Sequence, residues 1–233
     1  MKDDEVAAPS AMDDFDDQLA QRAKESFDRK DDSGKFRGIL KEISGLKTWR
    51  PGEGGHLVDI IPYRAGKHDP RLSEGAACYV LDLWVHYNVG PTEDSFVCPA
   101  RTFSDKRNPL HLNERCPICE HQNQLKKEAE YDEDTVKSLN PKRRVLYNVL
   151  VYDTPAEEDK GVQVWEVAHW SIERHLVVLS ERRRGASGAT VGGHISFASP
   201  RKGKTVAFSK QGKAPNIKFL GQRIEDRDYI LEN

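Results

Sequence analysis

PKRRVLYNVLVYD, residues 141–153, decides how this chain is read. It opens on Lys142, Arg143 and Arg144, continues through an apolar run broken only by Asn148, and closes on Asp153. A short run rich in β-branched and aromatic residues, bounded by a proline and an aspartate, reads as a strand that is apolar on both faces. Similar runs surround it: HLVDIIPY, CYVLDLWVHYNV and SFVCPA before it, then VQVWEVAHW, HISFA, TVAFSK and NIKFLGQ after it. Two helical stretches interrupt the strands, the polar EHQNQLKKEAEYDEDTVKSL and the shorter SIERHLVVLSE. Strands with occasional helices do not follow the strand and helix alternation of a parallel doubly wound sheet. The expectation is a mainly β fold, a small barrel with insertions and a few helices.

At 233 residues the chain can bury one good core or two small ones. Charged residues make up 32%, and the mean hydropathy of −0.73 fits a chain with much polar surface. No apolar run approaches the roughly 20 residues of a membrane span, and MKDDEVAAPS lacks the basic and apolar parts of a signal peptide. These features predict a protein of the reducing cytoplasm. There the four cysteines, Cys78, Cys98, Cys116 and Cys119, point to metal binding or buried thiols before disulfides.

Charge is segregated along the chain although the net value is only −2. Residues 1–34 hold eleven acidic and five basic side chains, and Phe15, Leu19, Ala23 and Phe27 recur every four residues, one narrow apolar stripe on a helix. This predicts an acidic N-terminal arm over 1–34, partly helical or mobile, ahead of a folded body over 35–233. From Arg182 to Lys218 there are nine Lys and Arg and no Asp or Glu, the charge pattern of a surface that meets a polyanion. Within that tract ERRRGASGATVGGH reads as a flexible basic loop.

Cys116 and Cys119 form a C-x-x-C, and Cys98 and His86 lie upstream, so that a Cys₃His set spans 34 residues. Thiolates and imidazole are preferred zinc ligands, and four protein ligands make a closed, structural site. The expectation is one structural Zn²⁺ on His86, Cys98, Cys116 and Cys119, inside a zinc-binding subdomain at about 84–140. Cys78, His111 and His121 are the alternative ligands. A redox dithiol is disfavoured because the loop-like SDKRNPLHLNER precedes CPIC. A nucleobase deaminase is disfavoured because His86 lacks the following x-Glu and the proline falls between the two cysteines. The fragment GKT at 203–205 lacks the earlier glycine of a phosphate loop, that position being Ala198.

Single strands are held by cations for phosphates and by aromatic faces for bases. Three clusters offer both: Arg101, Phe103, Lys106 and Arg107; Lys142, Arg143, Arg144 and Tyr147; and Arg201, Lys202, Lys204 and Phe208. Trp84 and Trp165 sit in strong strand patterns and are expected in the core.

The ordered series GGHLVDIIPYRAGKHD, WVHYNV, SFVC, CPIC and KRRVLYNVLVYDTPAEEDKGVQVWEV resembles the core of the single-stranded DNA-binding, helix-destabilising proteins of T-even bacteriophages, over about residues 36–230. The resemblance implies an OB-type barrel with an inserted zinc-binding subdomain, zinc on the four named ligands, and a cleft between the two that takes single-stranded DNA. It implies a non-enzymatic protein that coats single-stranded DNA during phage replication, recombination and repair in the cytoplasm of the infected cell. Neighbouring copies along the strand and replication or recombination proteins are the implied partners. The alternative is a zinc-stabilised RNA-binding or nucleic-acid-processing module.

Overall fold

The computed structural model describes residues 15–21, 39–40, 45–103, 114–184, 189–213 and 216–231, with the side chains of 182–192 outside the description. Twelve strands are described: β1 (Thr48–Trp49), β2 (Gly54–Ile61), β3 (Tyr63–Arg64), β4 (Ala77–Cys78), β5 (Leu81–Val89), β6 (Asp94–Val97), β7 (Lys142–Val151), β8 (Gln163–Ala168), β9 (Glu181–Arg184), β10 (Ala189–His194), β11 (Lys204–Gln211) and β12 (Lys218–Asp226). The helices are α1 (residues 15–21), α2 (Pro99–Phe103), α3 (Pro117–Leu125), α4 (Glu133–Ser138), α5 (Pro155–Glu158) and α6 (Glu173–Ser180), with one 3₁₀ turn at His169–Ser171. None of the described helices is long and apolar enough to cross a membrane.

The fold is mainly β, as the strand count predicts. Eight strands form one mixed sheet in the order β1-β8-β7-β2-β11-β12, with β5 also on β7 and β6 on β5. Its pairs are antiparallel except the short parallel β1–β8 contact. The sheet curls until Trp165 of β8 stacks on Phe208 of β11, ring centroids 5.1 Å apart and 7° from parallel. Trp49 of β1 reaches the same Phe208 edge-on at 6.3 Å.

The long strand β7 explains the two-sided apolar run that opens the sequence. Its N-terminal half pairs with β5, its C-terminal half with β2, and its other edge with β8. Alternation sends Val145, Tyr147, Val149 and Val151 into the core, while Leu146, Asn148 and Leu150 stay half-buried on the outer face. Tyr147 is a core residue: its hydroxyl donates to Glu173 Oε2 at 2.5 Å, and that of Tyr79 donates to Oε1 at 2.6 Å.

Several expected elements differ. The polar helix after Cys119 is two helices, since Asp132 caps α4 by accepting from Asp134 N and Thr135 Oγ1. HISFA contributes only His194 to a strand, and Phe197 and Ala198 then enter the core from a turn. The basic loop contains an antiparallel hairpin, β9–β10, with Ala189 opposite Arg184 and His194 opposite Glu181. Gly203 of the GKT fragment serves packing, because a Cβ there would lie 2.2 Å from the Ser199 carbonyl oxygen.

The described part of the arm, α1, docks on the body. Leu19 of α1 is 1% exposed and belongs to the main core, Gln18 Oε1 accepts from Ala77 N at 2.8 Å, and Arg64 lies 5.0 Å from the centroid of the Phe15 ring. The narrow stripe docks with Leu19 in the main core, β4 supplying a backbone donor to Gln18 and β3 setting Arg64 over Phe15. Of the stripe residues, Ala23 and Phe27 lie outside the described residues. Leu19→Ala is therefore expected to cost about 2–5 kcal/mol in urea unfolding, the usual range for emptying a leucine site in a core. A change under about 0.5 kcal/mol would mean that α1 does not contribute to the fold.

Candidate metal centre and adjoining cleft

Two adjacent features form the candidate site, a Cys₃His cluster and a cleft walled by the helix that the cluster holds. His86 comes from β5, Cys98 from the junction of β6 and α2, Cys116 from the N-cap of α3 and Cys119 from its first turn. Pro117 starts α3 without needing a backbone donor, so a C-P-I-C sequence turns directly into a helix and points both sulfurs the same way. Cys98 N donates to Trp84 O at 2.7 Å, and Trp84 N donates to Thr102 Oγ1 at 3.1 Å, which fastens α2 along β5.

All four donor atoms lie within 4.8 Å of one another. His86 Nε2 is 3.3 Å from Cys116 Sγ and 3.6 Å from Cys119 Sγ, and Cys98 Sγ is 3.6 Å from Cys119 Sγ. A tetrahedral ion with metal–sulfur bonds of about 2.3 Å has sulfur–sulfur edges of about 3.8 Å, so these spacings suit a four-coordinate ion. His86 Nδ1 donates to the Leu139 carbonyl at 2.7 Å, leaving Nε2 as the lone-pair atom that faces the sulfurs. His86, Cys98 and Cys116 are buried and Cys119 is half-buried. Burial lowers the pKa of His86, against the Leu139 carbonyl and with Arg101 adding to the fall. Burial pushes the Cys98 thiol well above its ordinary value and raises Cys119 as well. A cation at the centre reverses that pressure by stabilising thiolates. The chain thus has a cluster able to hold a metal ion. Of the alternative ligands, Cys78 donates instead to Val80 O, His121 is exposed, and His111 lies outside the described residues.

Beside this cluster is a cleft of about 680 Å³. Its floor is the outer face of the sheet, with Leu81 and Leu83 of β5, Leu146 and Asn148 of β7 and Val164 of β8. Pro99 and Phe103 of α2 also line it, as do Tyr63 of β3 and the following turn with Lys67 and His68. Lys67, His68 and Arg101 are exposed, and the Arg101 guanidinium lies 5.0 Å from the centroid of the Trp84 ring. Trp84 in turn packs on Cys98 and Cys116, so α2 stands on the Cys₃His cluster.

The expected polyanion contacts are divided by this geometry. Phe103 is half-buried and lines the cleft, while Arg101, Arg201 and Lys202 are exposed. Lys142 is half-buried at the start of β7, Lys204 pairs with Asp226, and Lys106 and Arg107 lie outside the described residues. Four assignments are corrected. Arg143 has no exposed side-chain surface and grips Asp82 with Nε at 3.0 Å and Nη2 at 2.6 Å. Arg144 is tied to Glu166 at 3.0 Å on a nearly closed surface. Tyr147 and Phe208 are core residues, Tyr147 over Glu173 and Phe208 against Trp165. Their strand parity decides this: odd positions of β7 face the core, and Arg144, on the even side, meets a carboxylate from β8.

Tyr63, Lys67, His68, Leu146 and Asn148 were missed as site residues. The even positions of β7 carried the signal for the last two, since a strand apolar on both faces must cover a second surface. Lys67 and His68 stand in a short polar turn whose position over the sheet depends on the β3–β4 pairing between Tyr63 and Cys78. Neither a protein-family model nor a curated protein sequence matches the chain.

Proposed function

We propose that this chain binds single-stranded DNA in the cleft beside the metal cluster, coating it with little sequence preference as a non-enzymatic protein of phage replication, recombination and repair. The observation that carries the reading is the make-up of the cleft: an aliphatic floor, the aromatic rings of Phe103 and Tyr63 in its lining, and the exposed Lys67 and His68 beside them. Bases freed from a duplex can bury their faces on such a floor while phosphates stay at the cationic rim. Asp69 is the one carboxylate among the described lining residues, and its Oδ1 accepts from the backbone N–H groups of Arg71 and Leu72. That leaves no carboxylate pair for a metal-assisted nuclease step. In this reading the sheet is the OB-type barrel of the resemblance, and the ion is zinc. Three thiolates and an imidazole in a tetrahedron favour Zn²⁺ over harder cations, and a site filled by four side chains has a structural role. Its part is to hold α2, with Arg101 and Phe103, against the sheet.

Titration of intrinsic tryptophan fluorescence with oligo-dT, oligo-rU and duplex DNA tests the proposal. Phe103→Ala should weaken oligo-dT binding by about 1–3 kcal/mol at every salt concentration, the value of one lost base stack. Lys67→Ala should flatten the dependence of log affinity on log salt by about 0.7, the value of one phosphate contact on a single strand. Unchanged affinity in the first variant and unchanged slope in the second would exclude the cleft as the binding site.

A further inference from the structure

The orientation of His86 depends on one backbone oxygen, the Leu139 carbonyl that accepts from Nδ1. Leu139 is the C-cap of α4, a helix of six residues whose one buried side chain is Val136. So short a helix does not fix its own end, because helix formation is cooperative and its last carbonyls lack intrahelical partners. Gln122 supplies the constraint. Its Nε2 donates to Val136 O at 2.7 Å and to Asn140 Oδ1 at 2.8 Å, which places one hydrogen bond three residues before Leu139 and the other one residue after it. Both hydrogens of the amide are used, and Gln122 is only 5% exposed. It also sits on α3 one turn beyond Cys119, so the helix that delivers two sulfurs carries the clamp on the histidine's partner.

We propose that Gln122 and Asn140 are positioning residues for metal binding, which hold the Leu139 carbonyl where it keeps a proton on His86 Nδ1 and turns Nε2 to the three sulfurs. The inference rests on the metal-centre reading above. It makes the α3–α4 segment part of the metal site although that segment donates no ligand from α4. Loss of a group that orients a histidine ligand typically lowers metal affinity about 10–100-fold.

The test uses the full-length chain and Co²⁺ as probe, with affinity read by chelator competition and coordination by visible absorption, and Zn²⁺ competition as a check. Gln122→Leu should lower Co²⁺ affinity about 10–100-fold and weaken the tetrahedral absorption bands. Asn140→Ala should act in the same direction, while Asn140→Asp, which retains an oxygen acceptor, should stay within about threefold of the wild type. The deciding arm repeats Gln122→Leu in a His86→Ala background, where a residue that works through His86 should change affinity less than about twofold. An equal fold-loss in both backgrounds would reduce Gln122 to a packing residue and overturn the inference, as would wild-type affinity in Gln122→Leu. A wild type that binds neither Co²⁺ nor Zn²⁺ would instead reject the metal centre itself.

Discussion

Asp82→Ala is expected to destabilise the protein by about 3–5 kcal/mol, because it removes the carboxylate that the Arg143 guanidinium grips in a site with no exposed side-chain surface. Arg143 donates to both oxygens of Asp82, and the pair joins β5 to β7 where Asp82 stands opposite Val145. Desolvating two ions is costly, and their mutual attraction offsets that cost only while both are present. Replacing both by apolar residues should therefore be far milder: Asp82→Leu with Arg143→Met is expected within about 1 kcal/mol of wild type, or more stable. Urea unfolding of the three proteins checks this. If the single change is as mild as the double one, the pair contributes no more to stability than the apolar side chains that replace it.

Metal removal should have the other large effect. Structural zinc contributes apparent binding free energies on the order of 10–16 kcal/mol in small zinc domains, more than most domains have in total stability. Cys116→Ser with Cys119→Ser, or a strong chelator, is therefore expected to melt the region of α2, α3 and α4. Trp165, Tyr147 and Phe208 lie in the larger core cluster, whereas Trp84 packs with Cys98 and Cys116 in a second one. The larger cluster should accordingly persist while sites around 99–140 become open to protease. Oligo-dT binding should fall with it, because α2 loses its footing on Trp84 and the sulfurs. A chelated protein that keeps its protease resistance and its oligonucleotide affinity would separate the cluster from both fold and function.

The strands and the Cys₃His set were legible because each depends on local pattern. The run from Val145 to Tyr152 needs only its composition to be recognised, and Cys116, Cys119, Cys98 and His86 need only a donor type suited to one ion. Their convergence within 4.8 Å agrees with that reading. The charged residues were less legible, since the sequence does not contain the partner. Nothing local to Arg143 or Arg144 announces Asp82 and Glu166, which arrive from other strands at separations of 61 and 22 residues. The same holds for α1, whose Gln18 meets Ala77 from 59 residues away, and for the cleft floor, assembled from three strands by register alone. The hairpin β9–β10 was hidden by its glycines, which read as a mobile loop when no partner strand is known.

Single-stranded DNA in the cleft beside the Cys₃His cluster is tested by the affinity of the wild-type, zinc-supplemented protein for oligo-dT and for duplex DNA across a series of salt concentrations. Oligo-dT should bind more tightly than duplex at every salt concentration, with log affinity falling linearly against log salt by about 0.7 for each phosphate held. Affinity for duplex equal to that for oligo-dT, or oligo-dT binding that does not respond to salt, would contradict it.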